Sequence, residues 1–282
     1  MTMQAFHAAY DAVLASRWPA DTDHTTVPTP YGPTRVNGCG PRHAPPVVLL
    51  PGGGSATSTA WFATASVLGR THRVHAVDLA GAPGRGASPG GAPPVRTVAD
   101  LMAWLDAVLD ALDIDDTALC GHSYGGWISL HYALRSPRRV RRLVLLDPTN
   151  TFVPFSPRYL LRALPLLLRP TPARSRSFLR WETGGAPLDD SWLALQAHGA
   201  GLPAARPVTG PRPGPAELRA LRTPTLLLLA GRSRAHDVRA AAAAARQVPA
   251  IRTEILPDAT HHTLPTASPP GTDDRIAAFL RQ

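Results

Sequence analysis

Leu119-Cys120-Gly121-His122-Ser123-Tyr124-Gly125-Gly126-Trp127 is the stretch on which the reading of this chain turns. An apolar segment runs into Gly-x-Ser-x-Gly, and an amphipathic stretch over residues 127–133 follows, so the motif stands in a strand–turn–helix setting. A turn this tight leaves no room for a Cβ two residues to either side of the serine, and the serine itself is forced into a strained backbone conformation. Its Oγ then projects above the sheet, with a helix N-terminus behind it that favours developing negative charge. Ser123 is therefore the candidate nucleophile.

Outward from the turn, short apolar runs recur, each closed by turn residues. Residues 47–50 meet Pro51-Gly52-Gly53-Gly54, 74–77 meet Asp78-Leu79-Ala80-Gly81, and 143–146 meet Asp147-Pro148. Further on, 225–229 run into Gly231 and 253–256 into Pro257-Asp258. Nearly unbroken apolar runs of this length are strands covered on both faces. Between them lie helical patterns, notably residues 98–112, where Leu101, Leu105, Val108, Leu109 and Leu112 form one stripe. The alternation predicts an α/β fold with a mainly parallel central sheet flanked by helices. Near the start, Phe6, Ala9, Tyr10, Val13 and Leu14 predict an amphipathic helix; residues 25–29 and 34–37 predict a hairpin around Tyr31-Gly32-Pro33.

One interval breaks the rhythm. Residues 149–223 hold Pro-interrupted apolar helices and a polar Gly/Pro stretch, the pattern of a helical cap inserted between two strands. Three segments are expected: core residues 1–148, cap residues 149–223 and core residues 224–282.

Composition excludes several classes. The 282 residues carry 29 basic side chains, all arginine, for a net charge of +9 and a pI near 10.8. The arginines are scattered in short groups such as Arg138, Arg139, Arg141 and Arg142, without interleaved aromatics or a helix-turn-helix or RNP pattern, so no nucleic-acid partner is expected. Cys39 and Cys120 form neither a CxxC pair nor a zinc spacing. No His-Glu-x-x-His, P-loop or dinucleotide fingerprint occurs, so neither a metal nor an organic cofactor is expected. The first 18 residues lack a secretory h-region, and the run at 226–230 is far shorter than the ~20 residues a membrane span needs. A cytoplasmic protein without a membrane partner is the expectation.

Five blocks in order carry a resemblance. They are Ala44-Pro45-Pro46-Val47-Val48-Leu49-Leu50-Pro51-Gly52, Arg73-Val74-His75-Ala76-Val77-Asp78-Leu79, the serine turn, the run from Arg139 through Leu143-Val144-Leu145-Leu146-Asp147-Pro148, and Leu256-Pro257-Asp258-Ala259-Thr260-His261. In these the chain resembles the α/β-hydrolase superfamily, and within it the compact bacterial carboxylesterases with a small helical cap. The resemblance implies an α/β-hydrolase fold and an oxyanion hole made by the backbone N–H groups of Gly53 and Tyr124. Pro51 replaces the family's usual histidine ahead of that loop, and backbone donors do not depend on it.

A serine needs a histidine to take its proton. The family's ending, Gly-x-Gly-His, aligns on Asp258-Ala259-Thr260-His261, which favours His261, with His262 as the alternative base. A carboxylate must then hold the imidazole's tautomer. The family usually places it three residues past the glycine that ends the strand at 225–229, where this chain has Arg234. Asp237, in the same loop, is the favoured acid, and Asp147 is the alternative.

The implied function is a serine hydrolase that cleaves small-molecule carboxylic esters through an acyl-enzyme. Phe152, Phe155, Tyr159, Leu160, Leu164, Phe178, Trp181 and Trp192 are expected to roof a pocket for an apolar or aromatic acyl group. The rivals are other acyl chemistry on the same triad (thioesterase, lactonase or cyclase, perhydrolase) or a ligand-binding protein of the same fold without turnover.

Overall fold

The computed structural model describes residues 2–86 and 93–282; Met1 and residues 87–92 of the expected first core segment lie outside the described residues. Eight strands form one sheet: β1 (Asp23–Val27), β2 (Thr34–Cys39), β3 (Pro46–Leu50), β4 (Arg73–Val77), β5 (Thr117–His122), β6 (Val140–Leu146), β7 (Thr225–Ala230) and β8 (Ile251–Leu256). Their spatial order is β1-β2-β4-β3-β5-β6-β7-β8. The hairpin partner β2 runs antiparallel to β1 and β4, and the remaining pairs are parallel.

The period of two along each strand builds two cores. Val47 and Leu49 join one cluster and Val48 and Leu50 the other, and the same split divides Val144 and Leu146 from Leu143 and Leu145. One face is covered by α3 (Val98–Ala111), α4 (Tyr124–Arg135) and α9 (Val238–Ala245), the other by α2 (Phe62–Leu68) and α10 (Thr272–Leu280). Central strands β5 and β7 are buried throughout, whereas the edge strand β8 is half-exposed along Thr253, Glu254 and Ile255. Local sequence starts the helices: Thr97 and Asp100 form a reciprocal capping box at α3, and Thr171 and Asp189 cap α6 (Pro172–Glu182) and α7 (Asp190–Gly199).

Between β6 and β7 come α5 (Pro157–Leu168), α6, α7 and α8 (Pro215–Ala220). The N-terminal helix α1 (Met3–Arg17) packs on α7, with Arg17 Nε 3.0 Å from Asp189 Oδ2. Phe6 and Trp192 share the buried cluster that this contact closes. The cap is thus anchored to the core at its α7 end. No helix among the described residues is long and apolar enough to cross a membrane.

Candidate active site

In a parallel sheet the loops at the carboxyl ends of the strands converge on one edge. Ser123 follows β5, Asp147 follows β6, the loop with Ser233 and His236 follows β7, and His261 follows β8.

Ser123 has φ 53° and ψ −116°, a conformation costing about 1–3 kcal/mol for a residue with a Cβ. Its N–H donates to Leu146 O at 3.0 Å, and its carbonyl accepts from Trp127 N at 3.1 Å and Thr149 N at 3.3 Å. The steric reason for the flanking glycines is present in the packing. A Cβ on Gly125 would overlap the carbonyl oxygens of Leu50 and Pro51, and one on Gly121 would overlap Gly125 O and Ser129 Oγ.

His261 Nε2 lies 2.8 Å from Ser123 Oγ, and His261 Nδ1 lies 2.6 Å from Asp147 Oδ2. The carboxylate on the imidazole is therefore that of Asp147 and not of Asp237. Asp237 is exposed and caps α9, its Oδ1 accepting from Ala240 N at 3.0 Å. Asp147 is fully buried, with φ 42°. Its Oδ1 accepts from Ala230 N at 3.1 Å, its Oδ2 accepts from Ser233 Oγ at 2.7 Å, and His236 Nε2 stands 3.2 Å from Oδ1. Burial alone would raise the Asp147 carboxyl, but His236 and His261 more than offset this and hold it below the usual carboxylate range. For His261, burial favours the neutral ring, and the hydrogen bond and charge of Asp147 outweigh it, helped by Glu182, so the imidazole stands above its ordinary value.

The loop bearing His261 is held from two sides by residues the sequence did not mark for this. His122 Nε2–H donates to the carbonyl of His261 at 2.8 Å. Burial, together with the charge of His261, pushes His122 down to about 3, so it stays neutral. From the cap, buried Glu182 at the end of α6 accepts from the backbone N–H of His261 and of His262, both at 3.3 Å. Burial raises the Glu182 carboxyl. The only sequence sign was that Glu182 is the sole carboxylate between Asp147 and Asp189. His262 packs edge-on against Phe178 at 6.1 Å and against His261 at 5.0 Å, and the ring bonded to Ser123 is that of His261.

Tyr124 opens α4, so its N–H has no partner within the helix. A Cβ on Gly53 would touch Tyr124 Cβ at 3.5 Å, which sets the two expected oxyanion donors on adjacent stretches of backbone. Beside His261 the cap supplies a wall of rings: Tyr159 lies 6.4 Å from His261, stacked on Phe155 and edge-on to Phe178, with Trp181 at 6.2 Å. Arg234, standing where the family's acid was expected, lies over Trp181 at 4.9 Å. Four members of the expected roof go elsewhere: Trp192 and Phe152 are buried in the two cores, and Leu160 and Leu164 face outward. A cavity of about 690 Å³ lined by Tyr31, Arg35, Asp78 and Pro203 touches neither Ser123 nor His261, so the chemistry, not the volume, locates the site. Among the described residues no three His, Cys, Asp or Glu side chains are grouped to hold a metal ion.

Known proteins of similar sequence and shape share this arrangement of elements. The alpha/beta hydrolase family matches residues 47–277. The carboxylesterase YbfK of Bacillus subtilis is 30% identical, with 98% of this chain and 93% of that protein aligned. Its crystal structure superposes with a TM-score of 0.89, covering 99% of this chain and 98% of that one at 27% identity. A naproxen esterase from the same organism gives a TM-score of 0.88 at 28% identity, covering 98% and 97% of the two chains.

Proposed function

The chain belongs to the alpha/beta hydrolase family, and on that premise we propose that it hydrolyses small-molecule carboxylic esters through an acyl-enzyme on Ser123. The observation that carries this is the continuous relay from Ser123 Oγ through His261 to Asp147, at 2.8 and 2.6 Å, set on a strained turn. In the proposed mechanism His261 Nε2 takes the proton of Ser123 as Oγ attacks the ester carbonyl. The backbone N–H groups of Gly53 and Tyr124 stabilise the oxyanion of the tetrahedral intermediate, and His261 then returns the proton to the departing alcohol. Water repeats the sequence and releases the acid. Asp147, in place of Asp237, fixes the Nδ1–H tautomer and stabilises the imidazolium.

The rings of Phe155, Tyr159, Phe178 and Trp181 beside His261 support an apolar or aromatic acyl group, and the likeness to a naproxen esterase points the same way. Cytoplasmic residence is the reading supported by two free, buried cysteines, Cys39 and Cys120. The test is a fluorophosphonate probe together with a p-nitrophenyl ester series. Covalent labelling of Ser123, with kcat/KM rising from acetate to arylacetate, is expected; an unlabelled protein without turnover would overturn the proposal.

A further inference from the structure

In α5, Leu160, Leu161, Leu164, Leu167 and Leu168 are 47, 72, 44, 69 and 71% exposed. Among the described residues they account for every exposed large apolar side chain except Ile255. At 3.6 residues per turn they fall within a single stripe about 120° wide. One flank of the stripe is the side of Tyr159 and buried Ala163, which packs toward His261 and the rest of the cap. The other flank carries Arg158 and Arg162, and Arg169 follows at the helix end. Scattered leucines need no explanation, but a contiguous stripe of them on one helix marks an interaction surface.

Charge identifies the partner. From α5 through α6 the chain carries Arg158, Arg162, Arg169, Arg174, Arg176 and Arg180, against one carboxylate, Glu182, which is buried and taken up by the backbone N–H groups of His261 and His262. Among the described residues none of these six arginines enters an ion pair. Arg162 donates to Ser177, and Arg174 to the carbonyls of Pro165 and Arg169, which ties α5 to α6 as one basic platform. A second copy of the chain docked symmetrically here would set arginines against arginines. An anionic lipid surface offers hydrocarbon to the leucines and phosphate to the guanidinium groups at once.

We propose that α5 lies in the headgroup region of an anionic phospholipid surface, its leucine stripe in the acyl boundary and its arginines on the phosphates. No spanning helix is needed for this; the expectation of no membrane partner rested on the lack of one. Tyr159 links the same helix to His261, so the ring-lined approach to Ser123 stands next to the lipid, and esters dissolved there reach it without crossing water. This last consequence rests on the ester-hydrolase reading, while the binding itself does not.

The experiment uses the Ser123→Ala protein, so that binding is read without turnover, in flotation with phosphatidylglycerol vesicles and with phosphatidylcholine vesicles at low and high salt. Flotation with phosphatidylglycerol, weak with phosphatidylcholine and reduced by salt, is expected. Adding Leu161→Glu and Leu168→Glu should lower it at least about tenfold. The same pair placed in the active chain should leave turnover of a soluble p-nitrophenyl ester within about twofold, because both side chains are more than two-thirds exposed and touch no part of the site. No flotation, equal binding to the neutral vesicles, or undiminished binding by the double variant would overturn the proposal. So would a concentration-dependent dimer that the double variant dissolves, since a second copy would then cover the stripe. Failure of ester turnover in the wild-type chain would sink the catalytic reading and leave the vesicle result standing.

Discussion

Replacing Asp147 by Asn changes one oxygen to NH₂ and tests the relay directly. Asp147 Oδ1 accepts from Ala230 N at 3.1 Å, and Oδ2 accepts from Ser233 Oγ while facing His261 Nδ1. The amide therefore has two orientations. With its NH₂ toward Ala230, two donors face each other in a buried site, at a cost of about 1–3 kcal/mol. With its oxygen toward Ala230, the NH₂ faces His261 Nδ1, which must then accept. That forces the proton onto Nε2, where it blocks removal of the Ser123 proton. The backbone amide of Ala230 thus selects the wrong tautomer, whose expected loss is about 10⁴-fold in kcat, or about 5.4 kcal/mol in the barrier. The fold should survive, because Asn tolerates the positive φ of residue 147 at least as well as Asp. Asp237→Asn is the control: Asp237 is an exposed helix cap and Asn caps as well as Asp, so kcat should stay within about twofold. Steady-state hydrolysis of a p-nitrophenyl ester, with circular dichroism to confirm folding, reads both. A kcat for Asp147→Asn within tenfold of wild type, or a collapse in Asp237→Asn, would refute the assignment.

Other expectations follow from the same geometry. His261 must be neutral to accept a proton and its pKa is raised, so kcat/KM should fall on acidification with an inflection above the ordinary imidazole value of ~6.5. Glu182 adds to that elevation and bonds the loop backbone, so Glu182→Gln should move the acidic limb to lower pH and reduce kcat roughly tenfold; an unmoved or upward-shifted limb in the pH profile contradicts the role. Ser123→Ala and Ser123→Gly should both be inactive, and glycine, free at φ 53°, should be the more stable by about 1 kcal/mol in urea unfolding; equal midpoints would mean the turn stores no strain. Gly125→Ala should fail to fold or lose several kcal/mol of stability by thermal melting, because its Cβ overlaps backbone of β3 and the following residue.

The fold could be read from the chain because each core strand is a short apolar run stopped by Gly, Pro or Asp, and because the turn at Ser123 constrains both its neighbours in sequence. The same logic failed for the acid. β6 and β7 are adjacent in the sheet, so a carboxylate at the end of either lies near one imidazole, and distance along the chain from a strand end does not separate them. What separates them is three-dimensional: Ala230 N and Ser233 Oγ converge on Asp147, while Asp237 is taken up by its own helix. Leu160 and Leu164 were misplaced for a related reason. Helical periodicity shows that α5 has an apolar face but not which neighbours cover it. Glu182 and His236 act across contacts tens of residues long, which no local pattern announces.

Ser123 and Asp147 sit at the ends of neighbouring strands joined by one crossover through α4, while His261 follows β8, 138 residues beyond Ser123. During synthesis the hydroxyl and its distant carboxylate can be assembled while the imidazole is still unmade. A product of aborted translation that stops short of His261, however well its early strands pair, would hold Ser123 and Asp147 without the base that the proposed mechanism requires.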